Sequence, residues 1–489
     1  MRMGERGHAL ALGCFLAVVL AGLEAFALAQ SAQGRDAKTV EALLVSDIHF
    51  DPFSDPTKAV KLAAAPVAEW NAILAAPASA DAHARWVKIE DACSAHGDDT
   101  TFALYRSSLR AIQADARGAK FVLLSGDLIA HDFSCKYAAV FPKAAPDAYR
   151  AFVEKTMDYV LTGLRAALPG VPVYAALGNN DSDCGDYRLN ANSPFLRESA
   201  ALFAADLRGR EQTQARASFA ADGSYRVALP APFVNTRLLV LNNLFESSNY
   251  QSCGGKADRA PAAAQIGWLK AQLNEARAKK EKLWVMAHIP PGVNSYATAR
   301  KWRALCAGGE PQMFLASETL PEVLAGYGDV IRLVIFAHTH MDELRLLAPA
   351  SSGAAQKNVA VKMVASISPI HGNNPSFTLA TIDPKSSVLD DYRVIVASNR
   401  TGVDAAWSEE YDFRKTFGKP AFTAEAVRDL IAGFKADPAE QSTASQNYLR
   451  YTMPGVDMRG MTLLWQPYVC SLTNSSTAVY RQCVCRNAP

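Results

Sequence analysis

The sequence predicts an α/β protein whose chemistry collects at one edge of a sheet. Two observations predict it. Short apolar runs of the kind that form buried strands alternate with stretches of helical spacing. Five of those runs stop on Asp, Asn or His: Asp47-Ile48-His49, Gly126-Asp127, Gly178-Asn179-Asn180-Asp181, His288, and His338-Thr339-His340. In open α/β sheets, functional groups gather beyond the carboxyl ends of the strands. Five strands would therefore deliver polar side chains to a common edge.

The chain in order supports this. Arg2 and Arg6 open a weakly basic start, residues 9–23 are apolar, and Ala27-Leu28-Ala29 fits a small-x-small cleavage site. Glu24 ends the run before it reaches the roughly 20 apolar residues that span a bilayer. Residues 1–29 are thus expected to be a cleaved leader rather than a stable transmembrane anchor, and the chain to be exported, periplasmic or secreted. The first strand ends at His49. Residues 51–118, with Trp70 and Trp86, form a long helical insertion that either covers the sheet or shapes a pocket. Strand two, 121–124, leads to Asp127 and then Ala130-His131-Asp132. Tyr149, Phe152, Val153, Val160, Leu161 and Leu164 recur at helical spacing, and Leu168-Pro169-Gly170 ends that helix.

Strand three, 173–177, runs to Asn179. Residues 218–227 and 237–242 read as further strands of a second sheet, and 261–278 as a helix. Strand four, 283–287, reaches His288, after which Pro290-Pro291-Gly292 turns the chain out into an insertion at 293–328. Strand five, 333–337, reaches His338. Residues 359–366, 376–382 and 392–397 are three more strand candidates, with a loop at 368–375 between the first two. From about residue 400 the texture changes. Val427, Leu430, Ile431 and Phe434 mark an amphipathic helix, followed by polar sequence and three cysteines. The expected division is a leader at 1–29, a main domain at 30–398, and a helical, disulfide-clipped extension at 399–489.

The 489 residues are 49% hydrophobic and 20% charged, an ordinary globular balance. A formal net charge of +2 gives no nucleic-acid-binding signal. Of nine cysteines, Cys14 lies in the leader. The other eight, an even number in an exported chain, are expected to form disulfides. Cys470 is expected to pair with Cys483 or Cys485, its neighbours in sequence. Asn474-Ser475-Ser476 matches a glycosylation acceptor. The oligomeric state is left open.

Oxygen and imidazole ligands in this mixture suit divalent metals such as zinc, manganese or iron. Taken together and in this order, D-x-H, G-D, G-N, a lone H and H-x-H resemble the calcineurin-like metallophosphoesterases, over roughly residues 40–345. The resemblance implies an α/β/β/α sandwich of two mixed sheets flanked by helices. It also implies two divalent ions, zinc first, with manganese or iron as alternatives. Asp47, His49, Asp127 and His340 would hold one ion. Asp127, Asn179, His288 and His338 would hold the other, so that Asp127 bridges them. Ions roughly 3.5–4 Å apart clamp a phosphate and activate a water. Asp181 would orient a neighbouring side chain or be an ordinary loop acid.

Gly126-Asp127-Leu128-Ile129-Ala130-His131-Asp132, His288-Ile289-Pro290-Pro291-Gly292, His338-Thr339-His340-Met341-Asp342-Glu343 and residues 366–377 are similar to the acid sphingomyelinase-like branch. This implies an exported phosphodiesterase acting by in-line attack of a hydroxide bridging the ions on a phosphate-ester substrate. His131 would bind phosphate or protonate the leaving group. Asn180, the second catalytic candidate, stands where the family usually carries a His that contacts phosphate; an amide donates a hydrogen bond but transfers no proton. His371, Asn373 and Asn374 are candidates for substrate contact. Gly178-Asn179-Asn180-Asp181 also resembles the endopolyphosphatase relatives. The alternative is therefore a polyphosphatase or nucleotide phosphohydrolase using the same site. A non-catalytic binding protein is the third possibility, against which the full set of seven ligands argues.

Overall fold

The computed structural model describes residues 39–349, 357–460, 462–473 and 475–486. The expected leader and the acceptor Asn474 lie outside the described residues. Among the described residues, twelve strands form two six-stranded sheets. In chain order they are β1 (Val40–Val45), β2 (Ala119–Leu124), β3 (Val173–Ala175), β4 (Tyr225–Ala228), β5 (Thr236–Val240), β6 (Lys282–Met286), β7 (Ile331–Phe336), β8 (Leu344–Leu347), β9 (Val359–Met363), β10 (Ser376–Asp383), β11 (Val388–Ala397) and β12 (Trp407–Asp412).

The first sheet has the order β12-β11-β10-β1-β2-β3, and the second β4-β5-β6-β7-β9-β8. Both are mixed. β1, β2 and β3 run parallel, as do β5, β6, β7 and β9, while β10–β12, β4 and β8 pair antiparallel. The parallel strands are buried throughout or nearly so, as expected of strands covered on both faces. Leu43, Leu44 and Val45 are examples, with Leu333–Phe336 their counterparts in the second sheet. The sheets face one another through Phe121 and Trp284, whose rings meet edge to face. The Trp284 Nε1 donates to the Ser387 carbonyl, and the Tyr225 hydroxyl donates to the Ala175 carbonyl while accepting from the Ala175 amide.

The helix Pro146–Ala167 packs on β3 and on the helix Phe102–Asp115. Its apolar side (Phe152, Val153, Val160, Leu161, Leu164) is buried at the spacing read from sequence. The 51–118 insertion is helical as expected, with helices at Pro56–Ala64, Trp70–Ala75, Ala82–Cys93 and Phe102–Asp115. Trp70 is fully buried against Phe152 and Tyr159. The strand expected at 218–227 needs correction. Gly209–Asp222 is a helix that buries Phe219, closed by Gly223 at φ +83°, and only Tyr225–Ala228 is strand.

The C-terminal segment contains the expected helices, at Phe413–Phe417, Ala424–Lys435, Thr443–Tyr451, Thr462–Ser471 and Thr477–Arg486. It also supplies β12, the edge of the first sheet, while the helix Ala424–Lys435 lies on β8 and β9 of the second. Four disulfides join Cys93–Cys135, Cys184–Cys253, Cys306–Cys485 and Cys470–Cys483. Cys470 thus pairs with the nearer of its two expected partners. Among the described residues no helix is long and apolar enough to cross a membrane.

Candidate active site

The loops leaving β1, β2, β3, β6 and β7 meet at the same end of the two sheets. Beyond β1 and β2 the chain keeps pairing: the amides of Asp47, His49 and Phe50 donate to the carbonyls of Gly126, Asp127 and Leu128. Asp47, His49, Asp127, His338 and His340 all take positive φ, between 45° and 72°. Each such residue costs about 1–2 kcal/mol against ordinary backbone. Strain of that size persists where the surrounding fold fixes a functional geometry. Gly126 (φ +101°) has no room for a side chain, since a Cβ there would stand 2.8 Å from the His288 Nδ1. A Cβ on Gly178 would collide with the Asp127 carboxylate.

All seven expected ligands converge. His49 Nε2 lies 3.4 Å from Asp127 Oδ2 and 3.8 Å from Asp47 Oδ1. His340 Nε2 lies 3.4 Å from Asp47 Oδ1. On the other side of Asp127, His288 Nε2 is 3.1 Å from Asp127 Oδ2, 3.1 Å from Asn179 Oδ1 and 3.3 Å from His338 Nδ1. Asp127 Oδ2 is therefore shared by the two groups. Asp47, His49, Asp127, Asn179, His288 and His340 are buried.

The outward nitrogens of three imidazoles are tied down. His49 Nδ1 pairs with the Ile129 carbonyl at 3.0 Å, and His288 Nδ1 with the Ser125 carbonyl at 2.8 Å. His338 Nε2 pairs with the Tyr187 hydroxyl at 3.2 Å. Such bonds fix the tautomer and turn the other nitrogen's lone pair inward. Asp47 Oδ1 and His49 Nε2 are buried without a hydrogen-bond partner. A buried polar atom normally has one, and a cation between them would supply it. Charge points the same way. Burial opposes protonation of His49 and His288, yet the Asp127 and Asp47 carboxylates outweigh it and push them up to about 10 and about 9. The cluster calls for positive charge, which a divalent cation would provide in place of those protons. The donor set of carboxylate, amide oxygen and imidazole thus fits two such ions.

A cavity of about 520 Å³ opens over this cluster. Asp127, His131, Asn179, Asp186, Tyr187, Asn294, Phe314, His338, Thr339, His340, His371 and Met453 line it, with no lysine or arginine among these described residues. The His131 ring stacks on His49 with centroids 3.8 Å apart. Its Nδ1 lies 3.0 Å from Asp99 Oδ1, and its backbone amide donates to Asp99 Oδ2 at 2.7 Å. Asp99 comes from the 51–118 insertion, has no motif around it and was invisible to sequence reasoning. The insertion therefore shapes the site as well as covering the sheet. His371 reaches the cavity too, 4.6 Å from His340 between ring centroids.

Three expected contacts are placed elsewhere. Asn180 is buried with its backbone and side-chain amides both donating to Asp127, at 2.9 and 3.0 Å, and it does not line the cavity. Asn373 is fully buried, its amide donating to Ser366 Oγ and the Ser368 carbonyl. Asn374 packs on Gly455, and its backbone amide donates to the Pro454 carbonyl. Both asparagines shape the loop that carries His371. Asp181 accepts from the amides of Leu128, Ile129 and Gly178, joining the loops after β2 and β3.

Below the His338-Thr339-His340 loop, Asp342 and Glu343 reach the C-terminal segment. Glu343 accepts from the Tyr468 hydroxyl (2.6 Å) and from Arg345 (2.8 Å). Asp342 forms a fully buried ion pair with Lys362, accepts from the Tyr411 hydroxyl, and donates its amide to the Thr452 carbonyl. Removing one partner of such a buried pair costs about 3–5 kcal/mol, because the other charge is left stranded.

Sheets, loops and ligand set together define a metal-dependent phosphoesterase. The calcineurin-like phosphoesterase family model matches residues 42–342, well over half of the chain, and the chain belongs to that family. The family carries a dinuclear divalent-metal site, for which this chain presents candidate ligands. It is 23% identical over 362 residues to human cyclic GMP-AMP phosphodiesterase SMPDL3A, covering 72% of each chain. It is 25% identical over 367 residues to human acid sphingomyelinase-like phosphodiesterase 3b, again covering 72% of each. Among solved structures it is similar to a dimetal phosphatase from Danio rerio, with 13% identity, a TM-score of 0.39, and coverage of 76% of this chain and 99% of that one.

Proposed function

We propose that the chain is an exported phosphodiesterase of the acid sphingomyelinase-like type, cleaving phosphodiesters whose leaving group is an organic alcohol. The observation that carries this reading is the convergence of seven side chains from five strand ends into one cluster whose two halves share the Asp127 carboxylate. Asp47, His49, Asp127 and His340 would hold one ion, and Asp127, Asn179, His288 and His338 the other. Zinc suits this mixed oxygen and imidazole set best. Bound there, the two ions would neutralise charge on the phosphoryl oxygens and activate a water for in-line attack.

The chain's own residues supply the rest. Asp99 fixes the His131 ring through Nδ1, which leaves Nε2 to hand a proton to the departing oxygen. Tyr187, Phe314 and Met453 give the cavity an aromatic and apolar wall for an organic group. The lack of lysine and arginine among the described residues of that wall, and the carboxylate of Asp186 within it, disfavour a polyanion such as polyphosphate. Four disulfides support an oxidising compartment, and hence export.

The test is a panel of a choline phosphodiester, a cyclic dinucleotide, a nucleoside triphosphate and polyphosphate, offered to zinc-loaded protein. Turnover of the first two above the last two is expected. Preferential release of phosphate from polyphosphate would overturn the reading.

A further inference from the structure

Two consecutive residues beyond the third motif touch two of the proposed ligands from behind. Asp186 Oδ1 accepts from Asn179 Nδ2 at 2.7 Å, and the Tyr187 hydroxyl lies 3.2 Å from His338 Nε2. Asn179 and His338 both belong to the same proposed ion, the one shared with His288. Among the described residues, neither Asp186 nor Tyr187 hydrogen-bonds to Asp47, His49 or His340, the ligands particular to the other ion. We infer that Asp186 and Tyr187 are positioning residues that assemble this second ion's site, an inference that rests on the two-ion reading above.

The physical need is specific in each case. A carboxamide has one end that binds a cation and one that repels it, and rotation by half a turn exchanges them. With its NH₂ held by Asp186, Asn179 points its Oδ1 towards His288 Nε2, 3.1 Å away. A neutral imidazole has the same ambiguity between its two nitrogens. A phenol oxygen accepting from Nε2–H leaves the His338 Nδ1 lone pair facing the cluster, where it lies 3.3 Å from His288 Nε2. His49 and His288 obtain this from backbone carbonyls, whereas His338 and Asn179 depend on two side chains of one loop.

That loop is built to hold them. Tyr187 takes φ +55°, an uncommon conformation for a bulky residue. Its amide donates to the Asn179 carbonyl, and its carbonyl accepts from the Gln251 amide, both at 3.0 Å. The Cys184–Cys253 disulfide ties the same two segments together.

The experiment is metal titration of the chelator-stripped full chain with zinc. Calorimetry gives affinity, and elemental analysis gives the number of ions retained. Wild type should retain two equivalents. Tyr187→Phe and Asp186→Ala should retain one at wild-type affinity and bind the other about 10–100-fold more weakly. Asp186→Asn keeps an acceptor and should restore the second equivalent. With cobalt as the probe, the visible spectrum of the first two variants should lose one site's bands while wild type shows both. Unchanged binding of both equivalents in Tyr187→Phe and Asp186→Ala, or equal loss of both, overturns the inference. A wild type that retains fewer than two equivalents overturns the two-ion reading itself.

Discussion

Asp99 holds His131 at two points. One carboxylate oxygen accepts from the His131 backbone amide at 2.7 Å, and the other lies 3.0 Å from the ring Nδ1. The Ser368 hydroxyl donates to the same carboxylate at 2.8 Å. Burial alone would favour the neutral acid, but His131, His49 and Lys136 outweigh it and hold Asp99 well below the usual carboxylate range. Asp99 therefore stays charged throughout the range in which an imidazole exchanges protons, and keeps the ring in one orientation.

If His131 Nε2 protonates the leaving group, the loss on His131→Gln depends on how much help that group needs. For an alkoxide leaving group kcat should fall about 10²–10⁴-fold. For a nitrophenolate it should fall far less. Asp99→Ala should show the same pattern at smaller amplitude, with zinc content unchanged. Equal losses on the two substrates would mean that His131 binds phosphate and transfers no proton.

Asp127 Oδ2 is shared by both halves of the ligand cluster. Chelation, or Asp127→Asn, should lower activity by more than about 100-fold, beyond what loss of an outer contact costs. Zinc should restore the chelated wild type and leave the variant inactive. Steady-state assays paired with elemental analysis decide this, and full turnover by Asp127→Asn would remove the proposed mechanism.

Glu246 gives a pH signature of stability away from the ligands. Its side chain is nearly buried, and its Oε1 has no hydrogen-bond partner. Burial pushes its carboxyl up to about 7, against a partial offset from Arg259. The folded chain thus keeps a proton that the unfolded chain has already released. Its contribution is full below the ordinary carboxyl range and is lost as pH rises through about 7. Glu246→Gln should match wild type near pH 4 and be more stable at pH 8 by on the order of 2 kcal/mol. Denaturant unfolding at the two pH values measures it, and equal stability at pH 8 would show the carboxylate to be solvated.

The candidate ligands were legible as a converging set because each ends or follows an apolar run, so pattern and chemistry coincide at Asp47, Asp127, Asn179, His288 and His338. What surrounds those ligands was not. Asp99 sits in a helical insertion and meets His131 only through tertiary packing. Tyr187 and Asp186 follow the third motif, but nothing local shows which way they turn. The alanine-rich helix Gly209–Asp222 and the strand after it merge in sequence, because Gly223, whose positive φ separates them, carries no apolar signal. β12 has a charged, half-exposed face typical of an edge, and so lacks a buried strand's signature. Asn180 occupies a motif position that suggests catalysis, whereas both its amides turn to Asp127.

The His338-Thr339-His340 loop is underpinned by residues made well after it, since Tyr468 lies 125 positions beyond Glu343. A chain stopped short of Tyr468 has every described strand of both sheets, yet Glu343 lacks the phenol that reaches it from the helix Thr462–Ser471. The support beneath this edge is therefore translated only after both sheets, and a nascent chain must wait for it before the loop is braced.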